Sequence, residues 1–260
     1  MLAVSSTTKH ARIERDLTVR GYELDRHGRV SLSTVLLYTE HLRWEAFRDP
    51  ETGFGGIIRG GGSLPIRAQR FCLGAPIDVG TDINVSMAVT RVGTTSIELL
   101  QEITRKKDGE LVLQALVTGV YVGQNKKTQP IPVDLRERVD ASLSQPQMRG
   151  QFIDRPKETW STPISIRHSD IDILQHVNQA RYIDFMRDSM LQAIDAHIYG
   201  PDVPALDTNP LQVGIEYNRE IKLGEALRIY TWRGADMTYH FAGHVGDEET
   251  CRFRAWAVFN

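Results

Sequence analysis

Hydrophobic and polar positions follow two periods along this chain, and the two periods alternate in the same order twice. Near the N-terminus, ARIERDLTV reads as an extended segment. A polar, turn-like stretch follows it. Val35, Tyr38, Leu42 and Phe47 then recur at helical spacing. INVSMAVTRV, TSIELLQEITRK and LVLQALVTGVYV come next, alternating or rich in β-branched residues, as strands do. Asp108-Gly109 is placed to turn the chain between two of them. The second half repeats this grammar. STPISIRH is extended, Tyr182, Phe185, Met186 and Met190 fall on a helical stripe, and VGIEYNREI, ALRIYTWRG, TYHFAGHV and RFRAWAVFN read as strands. One helix followed by several antiparallel strands is an α+β unit.

The halves also align residue by residue, as an internal repeat should. VRGYELDRHGRVSLSTVLLYTEHLRWEAF from Val19 lies over IRHSDIDILQHVNQARYIDFMRDSMLQAI from Ile166 without a gap, at an offset of 166 − 19 = 147. Arg20 meets Arg167, Asp25 meets Asp172, and Val30 meets Val177. Further on, IDVGTDINV from Ile77 lies over IKLGEALRI from Ile221, at an offset of 221 − 77 = 144. The first copy therefore carries three more residues between helix and strands, which the glycine-rich stretch from Phe54 to Ser63 accounts for. A segment rich in Pro, Gln and charge links the copies, with room for a short helix between Ile131 and Leu143. The boundary is placed near residue 145, giving units 1–145 and 146–260. Two such units can join edge to edge in one sheet, which removes two exposed edges.

Composition adds exclusions. The chain has 260 residues, of which 41% are hydrophobic and 25% charged, with a formal net charge of −2. That balance gives no support for bulk nucleic-acid binding. The two cysteines, Cys72 and Cys251, have no ligand or disulfide spacing. No apolar run suits a signal peptide or a membrane span, so a cytoplasmic protein without membrane insertion is expected. GxSxG, HExxH and a phosphate-binding glycine loop are all absent from the sequence, so neither metal nor cofactor is implied.

The two copies differ most where chemistry is expected. The second reads Asp170-Ile171-Asp172-Ile173-Leu174-Gln175-His176-Val177-Asn178, and the first reads Glu23-Leu24-Asp25-Arg26-His27-Gly28-Arg29-Val30-Ser31. His176 is matched by Arg29, and Glu220 by Pro76. An acid, an imidazole and a further carboxylate are thus a set in the second copy alone. Asn178 stands where a helix N-cap is favoured, and the helix start behind it offers N–H donors to a developing oxyanion.

DIDILQHVNQARYIDFMRD resembles the D-x-D-x-N-x-H-V-N-N…Tyr motif of plant and bacterial acyl-acyl-carrier-protein thioesterases, and EYNREIKLGE resembles that family's E-Y-R-R-E-C segment. GYELDRHGRVSLSTVLLYTEHLRW is similar to the family's first hotdog unit. The resemblance runs from about Ile13 to Asn260. It implies a tandem hotdog, with an N-terminal scaffold or acyl-binding unit and a catalytic C-terminal one. The implied activity is hydrolysis of fatty acyl thioesters on acyl carrier protein, in fatty acid biosynthesis. By position, the catalytic Asp, His and Glu fall on Asp172, His176 and Glu220, with Asn178 and Tyr182 lining the substrate. The family's Asn is Leu174 here and its Cys is Ile221, so no cysteine nucleophile is available there. Glu220 or His176 remains as the base for water, and Asp172 orients the imidazole or the carbonyl, or itself attacks.

Each residue also has a bland reading: Asp172 as a turn residue, Asn178 as a cap alone, Glu220 as a surface carboxylate beside Arg219 or Lys222, and Tyr182 as helix core. Arg43, Arg48, Arg181 and Arg187, or Arg105 to Lys107, are the basic residues from which an acidic carrier protein would choose. Trp160 and Trp256 read as core residues within strands. Competing functions are an acyl-coenzyme A thioesterase, an acyl-thioester binding protein with little turnover, and, more remotely, a hotdog dehydratase. A second copy of the chain, as a homodimer, is a further expected partner.

Overall fold

The computed structural model describes residues 12–205, 208–246 and 251–259. Its N-terminal half contains β1 (Ile13–Thr18), α1 (Leu32–Arg48), the short α2 (Gly55–Arg59), β2 (Ile66–Leu73), β3 (Asp82–Val92), β4 (Ser96–Arg105) and β5 (Leu111–Val120). A single turn, α3 (Val133–Arg136), lies in the link. The C-terminal half contains β6 (Ser161–Ile164), α4 (Arg181–Asp195), β7 (Gln212–Tyr217), β8 (Leu227–Arg233), β9 (Tyr239–Val245) and β10 (Phe253–Val258).

All ten strands form one antiparallel sheet in the order β1-β3-β4-β5-β2-β7-β10-β9-β8-β6. The order is a palindrome once each strand is matched with its repeat partner, so the halves meet at β2 and β7. Register fixes the pseudo-dyad. Arg70 pairs with Gly214, which are equivalent at the offset of 144, while Ala68–Glu216 and Cys72–Gln212 are mirror pairs around them. This is the edge-to-edge join expected from the sequence. It uses β2, a strand that the sequence reading does not single out, because SLPIRAQRFCLG places Pro and Arg among its apolar residues.

The helices bury their apolar stripes on one face of the sheet. Val35, Leu36, Tyr38 and Leu42 of α1 are buried, as are Tyr182, Phe185, Met186 and Met190 of α4. The opposite face is covered at its centre by the link. Trp256 packs there, with Phe152 edge-on at 6.3 Å. A Cβ at Gly150 or Gly214 would come within 2.1 or 2.4 Å of the indole, so both positions must stay bare. Trp256 is therefore core-like only because the linker crosses it, and Trp160 lies one residue outside β6.

Candidate active site

The same loop precedes each long helix. In the second copy Ile171 bridges Val177, Asp172 N–H donates to the His176 carbonyl at 2.9 Å, and Gln175 adopts a positive φ of 66°. In the first copy Leu24 bridges Val30, Asp25 N–H donates to the Arg29 carbonyl at 2.7 Å, and Gly28 takes φ 73°. The fold thus makes a five-residue hairpin that puts the residues equivalent to Asp172 and His176 across from one another. Only the second copy has an acid and an imidazole at those two places.

The two face each other there. His176 Nδ1 lies 3.5 Å from Asp172 Oδ2. The other carboxylate oxygen, Oδ1, accepts the Leu174 N–H at 2.8 Å. The Leu174 side chain itself is exposed, so the position where the resembling family has Asn contributes a backbone donor and no side-chain polarity. Glu220 follows β7. The loop is tied to that segment by the Val177 N–H, which donates to the Ile221 carbonyl at 2.8 Å. Arg252 clamps the same segment, donating to the Glu220 carbonyl at 2.7 Å and the Glu225 carboxylate at 3.0 Å. The Glu220 carboxylate is held below its ordinary range, chiefly by its hydrogen bond with Lys222, with the nearby charges of His176 and Lys126 adding to it. Lys222 Nζ is 2.9 Å away. Asp172, His176 and Glu220 therefore lie together, with Glu220 also in the surface ion pair that the bland reading anticipates.

Asn178 is displaced from its expected place. The helix begins at Arg181 with Ala180 as its cap, and Asn178 accepts the Ala180 N–H at 2.9 Å from two residues upstream. Its amide instead reaches across the pseudo-dyad to Glu40 on α1, at 3.1 and 3.0 Å from the two carboxylate oxygens. Gln179 donates to the same carboxylate at 3.2 Å. Sequence reasoning misses Glu40, since nothing in the helical pattern marks it. The only available signal is that its repeat partner, Arg187, has the opposite charge.

Tyr182 lies beneath the loop and is buried. It packs edge-on against Tyr217 and Phe253, each at 5.0 Å. Burial raises its phenol well above the ordinary range. Next to it a polar network fills the space under α1. Tyr217 donates to Gln69 at 2.9 Å, Arg43 donates to Gln101 at 2.6 Å, and Gln101 donates to the Thr39 carbonyl at 2.9 Å. Arg43 is thus no surface docking residue: burial pulls its guanidinium down to about 10. Of the other basic residues expected at the surface, Arg181 pairs with Asp184 at 3.1 Å and Arg105 with Glu110 at 2.5 Å.

No cysteine enters the site. Ile221 is buried, the Cys72 thiol faces Met148 and Gln212, and Cys251 bonds the Phe253 carbonyl. Burial raises both thiols, which disfavours the reactive thiolate. Among the described residues there is no cluster suited to a metal, and no helix is long and apolar enough to cross a membrane.

Comparison with known proteins adds a family to this geometry. Residues 153–254 match the acyl-ACP thioesterase C-terminal domain, and residues 19–139 match the thioesterase-like superfamily. A chloroplastic acyl-acyl carrier protein thioesterase of Arabidopsis thaliana is 27% identical over 123 residues, which are 47% of this chain and 65% of that protein. The match therefore spans less than two thirds of the relative's length. Among solved structures, an acyl-ACP thioesterase from Bacteroides thetaiotaomicron superposes with a TM-score of 0.78 at 16% identity, covering 99% of this chain and 100% of that one. The 12:0-ACP thioesterase from Umbellularia californica gives 0.75 at 14% identity, covering 95% and 92%. These likenesses establish the tandem hotdog fold.

Proposed function

Because residues 153–254 match the acyl-ACP thioesterase C-terminal domain and residues 19–139 the thioesterase-like superfamily, we propose that the chain is an acyl-acyl-carrier-protein thioesterase, hydrolysing fatty acyl thioesters of acyl carrier protein and releasing free fatty acid and carrier thiol. The observation that carries this reading is the Asp172–His176 pair on the one hairpin of the two that has both groups, with Glu220 alongside. Hydrolysis requires a water that loses a proton as it attacks the carbonyl, and expulsion of a thiolate. Asp172 faces the Nδ1 edge of His176, which favours a proton on that nitrogen and leaves Nε2 to accept one from water. Glu220, ionised and near the imidazole, stabilises the imidazolium that results. Asp172 attacking the carbonyl itself is the alternative chemistry that the same geometry supports.

Asn178 and Tyr182 act in this scheme by placement. Asn178 locks the loop to α1 through Glu40, and Tyr182 supports the loop from below. The C-terminal unit, residues 146–260, supplies the reacting groups, and the N-terminal unit, 1–145, supplies Glu40 and the surface that receives the acyl chain. Acyl carrier protein is the proposed partner and the cytoplasm the proposed location. The homodimer expected from the sequence stays a proposal, tested by mass in solution. Incubating the pure protein with dodecanoyl-acyl carrier protein and with dodecanoyl-coenzyme A, and measuring thiol and fatty acid release, tests the reaction. Faster release from the carrier protein is expected. Faster release from coenzyme A would reassign the substrate, and binding of either without release would make the protein a carrier of thioesters.

A further inference from the structure

The tip of the catalytic hairpin is apolar where the fold does not require it. Ile173 and Leu174 lie between Asp172 and His176 and are 81% and 54% exposed. The hairpin of the first copy repeats the backbone, and there the equivalent positions hold Arg26 and His27, both exposed. The turn therefore accepts polar residues at both places, and two large aliphatic side chains in water forgo the gain that burial would bring. The loop after β7, which the Val177–Ile221 hydrogen bond ties to the hairpin, diverges as well. Arg219 and Lys222 stand there in place of Ala75 and Asp78, at the offset of 144.

This face is positive once its internal pairs are set aside. Asp172 faces His176, Glu220 pairs with Lys222 at 2.9 Å, and Glu225 is held by Arg252 at 3.0 Å. Lys126, near enough to Glu220 to act on its carboxylate, is exposed, as are Lys127 next to it and Arg219 next to Glu220. These three cations make no ion pair among the described residues. The basic residues that the sequence offers to an acidic carrier are engaged elsewhere: Arg43 is buried, Arg105 and Arg181 are paired, and Arg187 lies 4.0 Å from Asp25.

We propose that this face is the landing surface for acyl carrier protein, with Ile173 and Leu174 entering an apolar contact and Lys126, Lys127 and Arg219 meeting the acidic surface of the carrier. The inference rests on the carrier-protein reading of the site and adds where the partner sits. Complementary charge speeds encounter and fixes orientation, and the apolar tip leaves water on docking. A thioester tethered to the carrier must be delivered to His176, so the landing surface has to adjoin it, as this one does. Leu174, which brings no side-chain polarity to the chemistry, has its use here.

Cleavage of dodecanoyl-acyl carrier protein and of dodecanoyl-N-acetylcysteamine, a neutral thioester without a carrier, tests the surface, together with direct titration of acyl carrier protein onto the full chain. Lys127→Glu combined with Arg219→Glu should weaken carrier binding and raise KM for the carrier substrate about tenfold at low salt, and the difference should shrink in about 0.5 M salt. Ile173→Ser should raise the same KM about threefold at either salt. Neither variant should alter cleavage of the neutral thioester, and Arg26→Glu, on the other hairpin, should bind the carrier as the wild type does. Wild-type carrier binding in the double variant, an equal loss on both substrates, or the same loss in Arg26→Glu would overturn the proposal. Carrier binding that follows the expected pattern without cleavage of either thioester would keep the landing surface and remove the hydrolase reading. Cleavage of the neutral thioester by a wild type that binds no carrier would do the reverse.

Discussion

The spaces under the two long helices are built on one plan and filled in opposite ways. Under α1 lie Thr39, Arg43, Gln69 and Gln101, and under α4 their repeat partners are Met186, Met190, Val213 and Phe241. The last pairing follows from register: Gln101 opposes Met87 on β3, and Phe241 opposes Thr231, the equivalent of Met87, on β8. The backbone registers match while the polarity inverts. The difference teaches that the sheet and the pseudo-dyad depend on filled volume and hydrogen-bond register, which both sets satisfy, and not on which half carries polar atoms. The polar side adjoins Glu40, through which α1 grips the loop of Asp172 and His176, and the apolar side lines a cavity with Met186, Met190, Val213 and Phe241.

The comparison can be broken first at the loop. His176→Ala should lower the rate of thioester cleavage by about 10²–10⁴-fold, whereas His27→Ala, on the corresponding hairpin, should leave it within about twofold. Equal losses would mean that both hairpins work. Glu220→Gln should cost less than His176→Ala, about tenfold, because its carboxylate is half-exposed and shared with Lys222.

The interiors give the next test. Arg43→Ala should destabilise the fold by about 2–4 kcal/mol in urea unfolding, since it strands the buried Gln101 as well as removing side-chain packing. Arg43→Met with Gln101→Phe copies the α4 side and should recover at least half of that loss. No recovery would mean that the two spaces are not equivalent. At the dyad the asymmetry is sharper: Gly214→Ala drives a Cβ into Trp256 and should cost about 1–3 kcal/mol, while Arg70→Ala, its exact counterpart in register, should cost under about 1 kcal/mol.

The smallest effect is in pH. His240 on β9 is buried and stacked on Trp232, and burial pulls its pKa below the usual imidazole value. Its repeat partner by register is Leu100. The folded state therefore favours neutral His240, and the unfolded chain binds the proton more readily. The stability this contributes is present above about pH 6.5 and is lost as the pH falls through the unfolded value toward the lowered folded one. Melting of the wild type from pH 7.5 to 5 should fall further than that of His240→Phe, and a parallel decline would remove the titration from the explanation.

Much of this was legible in the residues. The offset of 147 between Arg20 and Arg167, and of 144 between Gly80 and Gly224, is the pseudo-symmetry of the sheet, because glycines at positive φ and capped turns recur where the backbone repeats. The facing of Asp172 and His176 fits one of the roles that the resemblance implied for Asp172, orienting the imidazole, but the hairpin that sets them opposite each other appears only in the structure. What was not legible depends on contacts across the dyad. Glu40 and Arg43 sit on α1 at positions that read as ordinary polar helix surface, but Glu40 finds its partners Asn178 and Gln179 in the other half, and Arg43 turns inward onto Gln101 of β4.

The central claim is that two copies of one hairpin divide into a hydrolytic loop and a structural one. Asp172→Ala and Asp25→Ala, both folded by circular dichroism and assayed side by side on dodecanoyl-acyl carrier protein, test it most directly. The account predicts loss of turnover, by at least about 10³-fold, in Asp172→Ala alone. Full activity in that variant, or an equal loss in Asp25→Ala, would contradict it.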